Sequence, residues 1–234
     1  MRRGKRGVCS CGMFDYEGLR SETLTDLQAF AGSEELGEEV CGRVSAPPDD
    51  LHLAFNANQI ASKTWLLDRV YETLGGQFDT VYILGAWYGA LATLIFDDAR
   101  FQVGRIFCYD LNPDCAPVAE RVNANAVSEG RFRAATADAG TLSYPKQSAG
   151  AKAPRSLIIN TSCEHMPPSV DWFSRIPENM YLALQSNDYF DCDEHVNCVP
   201  DLAAFKAQVP LKTLYYEGTL RRRRYSRFML IGKK

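Results

Sequence analysis

The chain has 234 residues, with 26 Lys and Arg against 29 Asp and Glu and a formal net charge of -3. That length supports one large domain whose core needs no metal or disulfide staple. Hydrophobic residues at 46% and charged residues at 24% exclude a disordered chain, and the acidic balance disfavours a protein that coats nucleic acid.

Residues 1–54 read as a loosely ordered N-terminal arm or lid, with one short helix expected near Ser21–Phe30. No apolar stretch follows the basic start Met1–Arg6, so no signal peptide is expected. Val81–Phe96, the longest apolar run, is interrupted by Gly85 and Gly89 and falls short of the roughly 20 residues of a spanning helix. The expectation is a cytoplasmic protein with no membrane partner. The eight cysteines are scattered along the chain, which fits free thiols, with Cys108 buried in a strand.

From residue 55 the pattern is regular. An apolar stripe predicts a helix over Phe55–Leu74, ended by Gly75-Gly76. Strands follow at Val81–Leu84, Arg105–Tyr109, Phe132–Ala137, Ser156–Ile159 and Tyr181–Leu184. Helices are expected at Ala90–Asp98, Asp114–Asn125 and Asp201–Gln208, with Pro117 tolerated in a first turn. The last two strand-like runs, Lys212–Leu220 and Arg227–Ile231, are joined by Arg221–Arg224. Their connection is too short for a parallel crossover, so they form an antiparallel hairpin. The fold class is therefore α/β: an open, mostly parallel seven-stranded sheet with helices on both faces and a C-terminal antiparallel hairpin. No domain boundary is visible after residue 55.

In open sheets of this kind ligands bind beyond the carboxyl ends of the strands, at the point where strand order reverses. The first strand is followed there by Gly85-Ala-Trp-Tyr-Gly89, which allows a tight turn and a close backbone approach. The second ends at Asp110, a carboxylate placed to accept ribose hydroxyls. Gly-Lys-Ser/Thr is missing, which argues against a triphosphate, and a three-glycine loop for a pyrophosphate is missing too. The pair points to a ribose-bearing ligand.

These residues resemble the class I (Rossmann-like) S-adenosylmethionine-dependent methyltransferases over about 55–234. The likeness rests on the order of elements, on Val81–Gly89 as a glycine-rich first motif, on Tyr109-Asp110, and on Ala137-Asp138-Ala139. It implies S-adenosyl-L-methionine as cofactor, with Gly85, Trp87 and Gly89 beside the methionine part, Asp110 on the ribose and Asp138 on the adenine. Two positions depart from the family. Ile83 stands where an acid usually holds the methionine amine, and Trp87 where a second glycine is usual. An aromatic face beside a sulfonium is itself favourable, by ~0.5–2 kcal/mol.

Chemistry-bearing side chains gather after the fourth and fifth strands, in Asn160–His165 and Gln185–Tyr189. Asn160 can orient an amine or the cofactor, Glu164 or His165 can remove a proton, and Tyr189 can close the pocket. His195 belongs to a substrate-contacting loop that also holds Asn197. Cys192, His195 and Cys198 recur every three residues, but no C-x2-C pair exists, so no metal is expected. Arg221–Arg224 read as a solvated turn. The leading expectation is methyl transfer to a small-molecule nucleophile. A second is a cyclase or aminocarboxypropyl transferase that releases methylthioadenosine, as in azetidine-2-carboxylate synthesis. A third is a non-catalytic nucleoside-binding regulator. Nucleic acid is not an expected partner, and the sequence is silent on oligomeric state.

Overall fold

A computed structural model describes residues 35–42, 44, 48–146, 154–168 and 171–234. The helix expected near Ser21–Phe30 lies outside the described residues. In chain order come helix α1 (35–42), a 3-10 turn at Leu51–Phe55, α2 (Ala57–Leu74), β1 (Gln77–Leu84), α3 (Ala90–Asp97) and β2 (Gln102–Asp110). Then come α4 (Cys115–Val122), α5 (Ala124–Ser128), β3 (Phe132–Thr136), β4 (Ser156–Asn160) and a 3-10 turn at Cys163–His165. β5 (Tyr181–Asn187), α6 (Leu202–Gln208), β6 (Thr213–Arg221) and β7 (Ser226–Lys233) complete it.

The seven strands lie in the order β3-β2-β1-β4-β5-β7-β6. β1 to β5 are parallel, and β7 runs antiparallel to both β5 and β6. This is the architecture expected from the sequence. The order reverses between β1 and β4, which pair directly, so the crevice for a ligand opens above Leu84 and Asn160.

Along β1 the side chains alternate between two cores, as a strand buried on both faces must. Val81 and Ile83 face α2, α3, α4 and α5 through Leu66, Leu67, Val70, Leu91, Ile95, Ala119 and Ala126. Tyr82 and Leu84 face α6 and the 171–180 segment through Trp172, Ile176, Met180 and Phe205. A third cluster joins Val40, Val44, Leu51 and Phe55 to Tyr88, Ala90, Cys115, Val118 and Val122. Within the segment read as a loose arm, the described residues Val40, Val44 and Leu51 are thus packed against α3 and α4.

Local chemistry sets the element ends. α2 starts where the Asn56 side chain accepts from the backbone N–H of Asn58 and Gln59. The helix expected over Asp114–Asn125 breaks at Asn123, whose Nδ2 donates to the Ala119 carbonyl and whose Oδ1 accepts from Thr93. A residue spent on such side-chain bonds leaves helical geometry, and its φ is -106°. β5 runs on to Asn187 because Gln185, Ser186 and Asn187 pair with Met229, Phe228 and Arg227. These three polar residues, expected in a loop, are fully buried strand residues. Cys108, Cys115 and Cys163 are buried free thiols, and Cys41 and Cys198 are partly buried free thiols. Among the described residues no helix is long and apolar enough to cross a membrane.

Candidate functional site

The turn after β1 is built by two glycines. Gly85 has φ +61° and Gly89 φ +76°, left-handed values that glycine adopts without penalty. A Cβ on Gly85 would lie 2.8 Å from the Cβ of Ser162, so the loop after β4 rests directly on this turn. A Cβ on Gly89 would meet Asn123 and Ala119, so the second glycine seats α3 against α4. Gly85→Ala is expected to cost about 1–3 kcal/mol, as backbone strain plus the clash. Urea unfolding measures it. Adding Ser162→Gly is expected to remove only the steric share.

Between the glycines Trp87 also has positive φ, +48°. Its backbone N–H donates to Asp110 Oδ2 at 2.7 Å, and Asp110 Oδ1 accepts from Asn112 N–H at 3.0 Å. The acid at the end of β2 thus lies against the glycine turn, and the Ala86 N–H to Tyr109 carbonyl bond at 3.0 Å tightens the join. The Trp87 ring stacks on Tyr88, with centroids 5.0 Å apart. Tyr88 donates its hydroxyl to Asp50 at 2.8 Å, tying the turn to the N-terminal segment. Burial, then that hydrogen bond, hold the Tyr88 phenol well above its ordinary pKa. Asp138 is exposed at the end of β3, where its Oδ1 accepts from Gly140 N–H. It adjoins Asp110 along the sheet, since Ala137 N–H donates to the Asp110 carbonyl.

Across the switch point, Asn160 ends β4 fully buried. Its Oδ1 accepts from Ser162 N–H at 2.9 Å and its Nδ2 contacts Met166 Sδ at 3.3 Å, so its amide shapes the following loop. That loop delivers Glu164, 1% exposed. Glu164 Oε1 accepts from Asn187 Nδ2 at 2.6 Å and from Arg227 at 3.2 Å, while Arg227 also reaches the Thr161 carbonyl at 2.9 Å. Asn187 and Arg227 sit opposite each other on β5 and β7, which is why both converge on one carboxylate. Burial pulls the Arg227 guanidinium down, but the Glu164 charge, Tyr225 and Cys163 together outweigh it and hold the pKa above its usual value.

His165 and His195 meet edge to face, centroids 4.6 Å apart, and Tyr189 packs against His195 at 5.8 Å and against Tyr225 at 5.8 Å. His195 Nδ1 lies 2.8 Å from the Tyr189 carbonyl. Burial, only partly offset by that bond, lowers the His195 pKa. Cys198 donates to Asn187 Oδ1 and to the Tyr189 carbonyl, and burial pushes its thiol up to about 11. The structure therefore gathers Glu164, His165, Tyr189 and His195 at one place, with Asn160 beneath them, and keeps Gly85, Trp87, Gly89, Asp110 and Asp138 on the β1–β3 side.

The sequence reading missed Lys63 and Arg227, and it gave Asn187, within the Gln185–Tyr189 cluster, no role of its own. Lys63 lies on α2, which is fixed to β5 by a Ser62 to Gln185 hydrogen bond of 3.0 Å and hydrogen-bonds through its ammonium to Gln59. Its pKa falls to about 7, first through desolvation and then through the Arg227 charge, with Glu164 acting the other way. A signal was present: Ile60, Leu67, Val70 and Leu74 form the apolar stripe of α2, and Lys63 occupies a position on that stripe. Arg222, at the hairpin tip, reaches Asn58 at the start of α2 with bonds of 3.1 and 2.5 Å.

A shallow depression of about 690 Å³ lies at the opposite end of the sheet, lined by Tyr71, Gln77, Gln102, Arg100 and Arg155 among others. Its arginines are committed, Arg100 to Asp68 and Asp98 and Arg155 to the Leu74 carbonyl. It holds none of the chemistry described above.

No protein-family profile matches the chain, and no curated protein is similar to it in sequence. Solved structures are similar in fold. The N-methyltransferase NodS from Bradyrhizobium japonicum WM9, in complex with S-adenosyl-L-homocysteine, superposes with a TM-score of 0.59 at 11% identity, covering 88% of this chain and 98% of that one. Geranyl diphosphate C-methyltransferase from Streptomyces coelicolor A3(2), with Mg2+, geranyl-S-thiolodiphosphate and S-adenosyl-L-homocysteine, gives 0.56 at 12% identity, covering 90% and 98%. The chain has the class I methyltransferase fold.

Proposed function

We propose that this chain, on the class I methyltransferase fold, binds S-adenosyl-L-methionine at the 85–89 turn and transfers its methyl group to a small-molecule nucleophile. The carrying observation is the contact between Asp110 and the glycine turn, beside the switch point of the sheet. Asp110 takes the ribose hydroxyls, Gly85 and Gly89 let the backbone approach the methionine part, the Trp87 ring stands near the sulfonium, and Asp138 meets the adenine. When bound, the cofactor supplies an activated methyl carbon, so the protein needs mainly alignment and proton removal.

The acceptor lies over β4 and β5, against Tyr189, His165 and Lys63. Lys63 is the proton acceptor: at neutral pH a large share of its amine is uncharged, and an uncharged amine can take the proton a nucleophile loses. Exposed Phe190 and Val196, on the loop that carries His195, offer an apolar body of the acceptor a surface to cover.

One observation favours a second reading. Ile83 is 1% exposed inside the core, and the Asn160 amide is spent on Ser162 and Met166. The family's usual hold on the cofactor amine is therefore lacking. An amine left free can attack its own γ-carbon, breaking the carbon–sulfur bond, losing a proton and releasing methylthioadenosine.

Incubation of the purified chain with S-adenosylmethionine, with and without candidate acceptors, decides between them. S-adenosylhomocysteine formed with an acceptor supports methyl transfer. Methylthioadenosine formed from the cofactor alone supports ring closure. Saturable binding without turnover supports a regulator. Asp110→Ala is expected to weaken cofactor binding about 10- to 100-fold in calorimetry, from two lost charge-assisted hydrogen bonds. Unchanged binding overturns the cofactor site.

A further inference from the structure

The cluster at the ends of β4 and β5 holds more than proton chemistry requires. Glu164, His165 and His195 each present a ligand atom, and these atoms all lie within 4.8 Å of one another. We propose that Glu164, His165 and His195 form a binding site for a divalent transition-metal ion such as zinc, cobalt or iron(II).

Three independent features point the same way. The first is the carboxylate. Glu164 is buried, its Oε1 is occupied by Asn187 and Arg227, and its Oε2 is buried with no hydrogen-bond partner among the described residues. A buried carboxylate oxygen without a partner is costly and rare in a folded protein. A cation at Oε2 removes that cost.

The second is the His195 tautomer. Its Nδ1 faces the Tyr189 carbonyl at 2.8 Å. A carbonyl can only accept, so Nδ1 carries the proton and Nε2 keeps its lone pair. An imidazole fixed in this way by a backbone carbonyl is the usual arrangement of a metal-bound histidine.

The third is mobility where it is needed. Metal bonds of about 2.0–2.2 Å bring donor atoms to about 3–3.5 Å from one another. The widest separation allowed, 4.8 Å, must therefore close by about 1.3–1.8 Å. His165 is exposed and can turn without repacking the core, while Glu164 is fixed by Asn187 and Arg227.

Two imidazoles and one carboxylate select borderline ions over magnesium or calcium, which prefer all-oxygen sites. Arg227 beside the carboxylate works against binding, so the affinity rests largely on the two imidazoles. Cys198 contacts His195 on the Nδ1 edge, 3.7 Å away, and so lies off the Nε2 side. This set differs from the Cys192, His195 and Cys198 spacing visible in the sequence. Three protein ligands leave positions open for water or a heteroatom of a substrate. The proposal stands whether or not the cofactor reading does.

The test uses the full chain, stripped with a chelator and titrated with Co2+ alone. The expected result is one Co2+ per chain, with visible ligand-field bands of nitrogen and oxygen ligation and without intense thiolate charge transfer. His165→Gln and His195→Gln are each expected to weaken binding about 10- to 100-fold or more. His165→Gln changes an exposed side chain, and unfolding of the metal-free variant checks that the fold is kept. The double variant Cys192→Ser, Cys198→Ser is expected to bind as the parent does. Failure to retain Co2+, a thiolate spectrum, loss of binding in the cysteine variant, or unaltered binding in His165→Gln each overturns the site.

Discussion

Arg227→Met is expected to lower the unfolding free energy by about 3–5 kcal/mol, the largest stability effect of any change considered. The Arg227 side chain is 11% exposed and that of Glu164 2%. Removing the guanidinium strands a buried carboxylate with only Asn187 for company. It also frees the Thr161 carbonyl that Arg227 holds. Urea unfolding with far-UV circular dichroism measures the loss. The double variant Glu164→Gln, Arg227→Met is expected to recover much of it, because the residual cost comes from an uncompensated charge and not from lost attraction. A single variant as stable as the parent would mean that Glu164 is hydrated, contrary to its burial.

Lys63→Met is expected to reduce kcat by about 10²- to 10⁴-fold while leaving cofactor affinity unchanged, the usual range for removing a general base. In the parent, the rate is expected to rise with pH through a value near 7 and then level off, as the amine loses its proton. Lys63→Arg, permanently charged, is expected to be as slow as Lys63→Met. Stability supplies a second readout. A lysine whose folded pKa of about 7 lies below its ordinary 10.5 binds fewer protons folded than unfolded between those values. The parent is therefore penalised most below about pH 7, and the penalty fades as pH rises towards 10.5. Lys63→Met is expected to be more stable than the parent at pH 6, with the difference fading as pH rises towards 10.5. An activity loss without this pH-dependent stability gain would mark Lys63 as a binding residue only.

The fold was legible because its signals are local and periodic. Alternation of strand and helix and a short last connection are enough to place seven strands and a terminal hairpin. The glycine turn and Asp110 were legible too, because backbone freedom and strand-end position are written in residue type. The two halves of Glu164's environment were not. Arg227 stands 63 residues from Glu164, and Asn187 stands 23. Only the antiparallel register of β5 and β7 brings them together. Lys63 was not singled out, although its place on the apolar stripe of α2 marked it. Gln185, Ser186 and Asn187 were read as loop because polarity usually means exposure. Here they continue a strand, and Gln185 and Asn187 find buried partners in Ser62 and Glu164.

β7 lies between two strands that precede it in the chain. During synthesis the β5 edge stays unsatisfied, and Arg227 is not yet in place beside Glu164, until β7 has left the ribosome. A nascent chain can collapse around β1 to β4 early, but it cannot complete the surroundings of Glu164 piecemeal. Its period of aggregation risk therefore lasts until β7 has emerged, and truncation products that end before Ser226 should be prime targets for proteolysis.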